Sequence, residues 1–194
     1  MGVRSPATPA VRGGIMLKLS RLSARSRFIL NILVTVASLL LCTFLSLMRL
    51  PGMEILGIAP NWLLIWLVSW SLNRSCLDSV VAGLAIGAIQ DSLTSNYPSH
   101  IMVFGLIGFL TSRLHRQRYL KEELIAVVLI VFVMTLIANG AIAFQYYLQG
   151  GKNLADLWLD YQRIGLTSAL LSSLWTPLVY YPFQQWWRQF SDLS

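Results

Sequence analysis

The stretch SVVAGLAIGAIQDSLTSNYPSHIMVFGLIGFLTS, residues 79–112, contains one charged residue, Asp91, among its 34 positions. As a single helix it would be about 51 Å long, which is too long for one crossing of a hydrocarbon core about 30 Å thick. The polar segment TSNYPS, residues 94–99, is typical of a turn, and its proline ends a helix. The stretch therefore predicts a helical hairpin whose two short apolar arms are residues 79–93 and residues 100–112.

The rest of the chain is equally poor in charge. Of its 194 residues, 56% are hydrophobic and 12% are Asp, Glu, Lys or Arg, which is about half the charged share of a soluble domain. This composition excludes an ordinary soluble globule, and its hydrophobicity excludes a disordered chain. The sequence thus predicts an all-α integral membrane protein. Four further uncharged stretches are long enough to cross a bilayer: residues 28–48, 55–73, 124–151 and 164–187.

Positive charge indicates the topology. Six Lys and Arg residues precede residue 28 with no acidic residue among them, and four more lie in the segment 113–121. Because Lys and Arg accumulate on the cytoplasmic side of a membrane, both clusters are expected there, which requires the hairpin to go out and back. We therefore expect six transmembrane helices with both termini cytoplasmic, and only Arg49, Lys152 and Arg163 outside. The net charge of +7 is therefore interpreted as a consequence of this topology. We expect the basic side chains to bind anionic lipid and expect no nucleic acid as a partner.

The chain is expected to have three parts. Residues 1–27 are predicted to form a basic cytoplasmic tail, in which three apolar residues at helical spacing favour a short interfacial helix. Residues 28–187 are predicted to form the six-helix membrane domain, and residues 188–194 the cytoplasmic C-terminus. The amphipathic segment 153–163 either lies on the outer leaflet as a separate interfacial helix or extends the last span.

A second pattern lies in the first arm of the hairpin. Gly83, Gly87 and Asp91 are spaced by four residues and so share one face of a helix. A Gly-x-x-x-Gly pattern lets another backbone approach closely, whereas a carboxylate at membrane depth is costly unless it is paired or hydrated. Two interpretations of Asp91 are therefore open. Its carboxylate either positions the helix ends at the outer side of the bundle or binds a ligand there, or it caps the turn that follows.

Other polar residues are candidates for contacts between helices. Pro60 and Asn61 open the second span, and His100 opens the fourth. Four amides within apolar runs favour interhelical hydrogen bonds: Asn31, Gln90, Asn139 and Gln145. The sequence contains no nucleophile with a base, no paired carboxylates and no spacing typical of metal ligands. We therefore expect neither enzymatic activity nor a cofactor.

Three elements of this sequence resemble a known family. They are Ala-Pro-Asn-Trp at residues 59–62, Ala-Gly-Leu-Ala-Ile-Gly-Ala-Ile-Gln-Asp at residues 82–91, and a polar turn followed by His100. Together they resemble the bacterial rod-shape-determining MreD proteins, although the turn at residues 95–99 lacks the glycine that is usual in that family.

The resemblance implies a function and a fold. The function is that of a non-enzymatic scaffold in the bacterial cytoplasmic (inner) membrane, which partners an MreC-like protein. Through this partner it would link the MreB filament to a RodA-type glycosyltransferase and a penicillin-binding transpeptidase. The implied fold is similar to the substrate-binding subunits of energy-coupling-factor transporters. That similarity leaves an alternative function, a membrane-embedded subunit that binds a small molecule such as a vitamin.

Overall fold

The computed structural model describes residues 24–48, 57–72, 74–94, 99–116, 124–150 and 154–191. This part of the chain forms six α-helices, as an all-α protein requires. They are α1 (Ala24–Leu47), α2 (Trp62–Ser71), α3 (Cys76–Thr94), α4 (His100–Arg116), α5 (Leu124–Leu148) and α6 (Leu154–Ser191). The predicted interfacial helix of the tail, the tip of the hairpin turn and most of the basic loop lie outside the described residues.

Among the described residues, three helices are long and apolar enough to cross a membrane, judged by length and composition. They are Phe28–Leu47 within α1, all of α3 and all of α5. Two shorter apolar segments are α2 and the part of α4 from His100 to Leu114. Helices of this length and composition are those of a membrane protein.

The hairpin predicted from residues 79–112 is present as α3 and α4. These two helices form the closest pair in the described part of the chain, and α5 and α6 form the next. Each helix extends a little beyond its predicted arm at the end away from the turn. The polar segment at 94–99 therefore separates two helices of 19 and 17 residues.

Helix α2 is much shorter than the uncharged stretch that contains it. It has 10 residues, or about 15 Å, roughly half the thickness of a hydrocarbon core. Its start is fixed by Asn61, whose side chain accepts a hydrogen bond from the backbone N–H of Leu64, and by Pro60, which disfavours helical backbone in the residue before it. The helix therefore begins where Pro60 and Asn61 predict that a span opens, but it is shorter than the uncharged stretch 55–73.

Helix α2 is also the centre of the core. It contacts all five other helices, and it is apolar on every side, as expected for a helix that is surrounded by protein. Its completely buried apolar side chains are Leu63, Leu64, Ile65, Leu67 and Val68.

Helix α6 is continuous over 38 residues, about 57 Å, and so extends beyond the hydrocarbon core. Its first residues are those of the amphipathic segment 153–163, which thus extends the last helix, the second of the two alternatives. The helix runs through Pro177 and Pro182. Helix α5 ends before Gly150, whose φ of 70° is the left-handed conformation common after a helix C-terminus.

Candidate functional site

Gly83 and Gly87 lie where the backbones of α3 and α4 meet. A Cβ atom added at Gly83 would overlap the carbonyl oxygen of Phe104 and lie 2.8 Å from its carbonyl carbon. One added at Gly87 would lie 2.5 Å from the Cα of Ile101. Because non-bonded carbon atoms are most stable at about 3.5–4.0 Å, neither position has room for a side chain. The backbone that approaches this Gly-x-x-x-Gly pattern is that of α4.

A third glycine continues this row from the opposite helix. A Cβ atom added at Gly108 would lie 2.9 Å from the carbonyl carbon of Ser79. Ser79, Gly83 and Gly87 follow one another by one turn along α3, and their partners follow in reverse order along α4, as in antiparallel helices. Gly108 was not among the predicted contact residues; the signal that could have indicated it is a glycine in the second arm of a hairpin whose first arm carries Gly83 and Gly87.

Asp91 ends the same face of α3 and joins it to the start of α4. Its Oδ1 accepts a hydrogen bond from the backbone N–H of His100 at 2.7 Å and lies 2.8 Å from the Nδ1 of the same residue. Its Oδ2 accepts a hydrogen bond from the Ser99 hydroxyl at 3.1 Å. The side chains of Asp91 and His100 are 25% and 16% exposed. Asp91 thus caps the first turn of α4, and it forms an ion pair with His100 when the imidazole is protonated.

The same corner of the molecule is tied to α5. The side-chain amide of Gln145 donates a hydrogen bond to the carbonyl oxygen of Ser99 at 3.2 Å. Ser99 therefore connects Asp91 on α3 with Gln145 on α5. We name these four residues, Asp91, Ser99, His100 and Gln145, the corner cluster. Of the four amides expected to bond between helices, Gln145 bonds to the residue that precedes α4, whereas Asn139 donates to the carbonyl of Thr135 in its own helix at 2.9 Å.

Pro60 and Asn61 lie at a different contact. The backbone N–H of Asn61 donates a hydrogen bond to the Ser172 hydroxyl of α6 at 3.0 Å, and Pro60 is buried. Six of the predicted contact residues form two groups: Gly83, Gly87, Asp91, His100, Pro60 and Asn61. Four of them lie in the α3–α4 hairpin, and two lie where α2 begins against α6.

An aromatic row on α2 was not recognised in the sequence. Trp62, Trp66 and Trp70 recur every four residues, and Arg74 follows at the same interval. Trp66 and Trp70 stack with ring centroids 5.8 Å apart, and the guanidinium carbon of Arg74 lies 5.2 Å from the centroid of Trp70. Phe183 of α6 packs edge-on against Trp66 at 6.1 Å. The four-residue spacing was the signal that would have indicated this row.

The corner cluster has the chemistry of a structural tie. Both oxygens of the Asp91 carboxylate are hydrogen-bonded to groups of the same chain. Within the residues that the structure describes, no group of three or more His, Cys, Asp or Glu side chains is placed to hold a metal ion. The cluster, together with the glycine row, holds α3, α4 and α5 in fixed relative positions.

The fold and this site define a small helical membrane protein whose polar side chains connect its helices. The chain belongs to the MreD family: the model of the rod shape-determining protein MreD matches residues 26–185, most of the chain. The predicted resemblance to the MreD family is thereby confirmed. No curated protein and no solved structure matches the chain. Membership in the family gives the protein a role in determining rod shape.

Proposed function

We propose that this protein is a non-enzymatic scaffold of the cell-elongation machinery in the bacterial cytoplasmic membrane. Its partner is an MreC-like protein, and through it the scaffold couples an MreB filament to a RodA-type glycosyltransferase and a penicillin-binding transpeptidase. The observation that carries the proposal is the family match over residues 26–185, which includes nearly all of the helical part of the chain.

The proposed arrangement in the membrane has six crossings and both termini in the cytoplasm, similar to the substrate-binding subunits of energy-coupling-factor transporters. The position of the arginines supports it. Arg74 and Arg113 lie near the ends of α2 and α4 that are farthest from Asn61 and the corner cluster. Each stacks on an aromatic ring of its own segment, Trp70 and Phe109 respectively, as suits a side chain at a membrane interface.

A labelling experiment tests this orientation. In a Cys76→Ser background, Gln149→Cys is expected to react with a membrane-impermeant thiol reagent added to spheroplasts, because it lies on the proposed outer side. Arg118→Cys is the matched control and is expected to react only after the membrane is permeabilised. The opposite labelling of the two positions would contradict the proposed orientation.

Two buried hydroxyl groups that are bonded within their own helices favour a scaffold over a small-molecule binding subunit. Thr135 and Thr176 donate hydrogen bonds to the carbonyl oxygens of Val131 and Ser172, four residues earlier in their own helices. Such bonds satisfy a hydroxyl locally. A site for a polar ligand would instead need several polar groups that converge on one cavity.

The scaffold role is tested by co-purification and by cell shape. A tagged chain is expected to retain the MreC-like protein encoded in the same organism after mild detergent extraction. Depletion of the chain is expected to round the cells, and re-expression is expected to restore rods. Normal shape after depletion, together with no retained partner, would contradict the proposal.

A further inference from the structure

An apolar groove lies between α1 and α6, and α2 contributes Trp62 to its lining. Its volume is about 340 Å³. Its mouth is open, because Leu41 of α1 and Leu178 of α6 both line it and are 59% and 60% exposed. The apolar side chains along it include Val34, Leu41, Leu45, Leu178, Val179 and Phe183.

The hydroxyl group of Ser38, which lines the groove, is already hydrogen-bonded within the protein. The oxygen of Ser38 accepts a hydrogen bond from the indole N–H of Trp66 at 3.0 Å. Along α1 the groove lies within the apolar segment Phe28–Leu47, so in a membrane it opens towards the acyl chains. Its surface therefore suits hydrocarbon and offers little to a polar ligand.

A cation lies beyond one end of the groove and is connected to it by aromatic rings. Phe183 lines the groove and packs against Trp66, Trp66 stacks on Trp70, and Trp70 carries Arg74 on its face. Because Ser38 is bonded to Trp66, and Cys42 and Trp62 line the groove together, α1 and α2 are antiparallel at this contact. The groove therefore runs along α2 in the direction of Arg74.

The charge of Arg74 is not compensated by the part of the protein that the structure describes. No carboxylate of the described residues lies within ion-pair distance of its guanidinium group. The acidic residue nearest in sequence, Asp78, accepts a hydrogen bond from Ser75 instead. In addition, the indole N–H of Trp70 is without an acceptor among the described residues, so this ring can turn without breaking a hydrogen bond.

We propose that the groove binds one anionic diacyl phospholipid, with an acyl chain between α1 and α6 and the phosphate at Arg74. An apolar channel that leads towards an unpaired guanidinium group complements a molecule with a hydrocarbon chain and one negative headgroup. A zwitterionic headgroup adds an ammonium group that the guanidinium does not favour. A second copy of the chain would fill the groove with a helix but would leave Arg74 without a counter-ion.

The purified full-length chain allows a direct test that involves no protein partner. It is reconstituted in nanodiscs with equal amounts of phosphatidylglycerol and phosphatidylethanolamine, and the lipids that remain bound are counted by native mass spectrometry. One phosphatidylglycerol is expected to remain in preference to phosphatidylethanolamine. Since the readout needs only the chain and the lipids, its failure leaves the scaffold role untouched.

Two matched pairs of variants locate the lipid. Leu41→Trp fills the groove and is expected to remove most of the bound lipid, whereas Leu40→Trp, at an exposed position that does not line the groove, leaves it. Arg74→Gln is expected to lower the preference for phosphatidylglycerol roughly fivefold, the effect of one arginine near an anionic surface. Arg113→Gln, which also removes an arginine stacked on an aromatic ring, is expected to leave the preference unchanged.

Three outcomes would overturn the proposal. One is equal retention of the two lipids by the wild-type chain. Another is an equal change in bound lipid for Leu41→Trp and Leu40→Trp, or an equal change in lipid preference for Arg74→Gln and Arg113→Gln. This outcome counts only for folded variants, with unchanged circular dichroism and gel-filtration profiles. The third is a dimer without bound lipid that Leu41→Trp disrupts and Leu40→Trp does not, since a second copy of the chain would then occupy the groove.

Discussion

The α3–α4 hairpin and helix α1 are held in the bundle in opposite ways. In the hairpin, glycines bring two backbones into direct contact, and the carboxylate of Asp91 closes the end. In α1, only 6% of the apolar segment Phe28–Leu47 is buried inside the protein. A side-chain hydrogen bond joins Ser38 of this helix to Trp66 of α2. One pair of helices is thus interlocked, and the other helix lies against the bundle with most of its surface exposed.

This difference shows what distinguishes a helix contact from a lipid contact. Lipid tails are as apolar as leucine, so apolar side chains alone do not drive helices together in a membrane. Close backbone packing and polar bonds between helices do, and the hairpin has both. We therefore expect substitutions in the hairpin to cost far more stability than similar substitutions in α1.

The largest effect is expected where the two backbones touch. Gly83→Ala places a methyl group against the carbonyl of Phe104, so α3 and α4 must move apart, at a cost of about 3 kcal/mol. The free energy of unfolding in mixed detergent micelles measures this cost. Gly140→Ala is the matched control, because its methyl group would meet Tyr161 at an ordinary 3.6 Å. If the two variants are equally stable, the glycine row does not hold the hairpin together.

The second effect concerns the corner cluster. Asp91→Ala removes the acceptor for the backbone N–H of His100 and for the Ser99 hydroxyl, with an expected loss of about 2 kcal/mol, since hydrogen bonds to charged groups are strong. Asp91→Asn keeps one oxygen and is expected to lose about half as much. Both values are read from detergent unfolding curves.

Ser92→Ala is the control for this pair of variants. Ser92 is the exposed neighbour of Asp91, and its hydroxyl donates a hydrogen bond to the Ala88 carbonyl of its own helix. It is expected to leave stability unchanged. An Asp91→Asn variant as stable as wild type would show that the charge of the corner cluster contributes nothing to the hairpin.

The hairpin was predictable because its signals are local. The absence of charge between Asp78 and Arg113 apart from Asp91, the polar turn at 94–99 and the spacing of Gly83 and Gly87 all lie within one stretch of chain. The length of α2 was not predicted, because a uniformly apolar run has no periodicity that separates helix from extended backbone. The bond from Gln145 to Ser99 joins residues 46 positions apart, and such a pairing depends on how whole helices pack.

The third effect is expected at the start of α2, the element that contacts both regions. Asn61→Ala removes the cap on the Leu64 N–H and is expected to cost about 1 kcal/mol, as is usual for the loss of a helix N-cap. Asn61→Asp keeps an oxygen acceptor and is expected to lose little. The same unfolding measurement distinguishes the two variants. Equal losses of stability would indicate that Asn61 does not stabilise the protein through its helix cap.

The smallest effects are expected in α1, where they test the other side of the comparison. Ser38→Ala removes the acceptor for the indole N–H of Trp66, and interhelical hydrogen bonds in membrane proteins contribute about 0.6 kcal/mol on average. Leu40→Ala shortens a side chain that faces away from the bundle, and its expected cost is near zero because lipid or detergent fills the space. Measured side by side, the two variants should differ by the value of one hydrogen bond. A large loss for Leu40→Ala would mean that the exposed face of α1 packs against protein, and α1 would then be held as firmly as the hairpin.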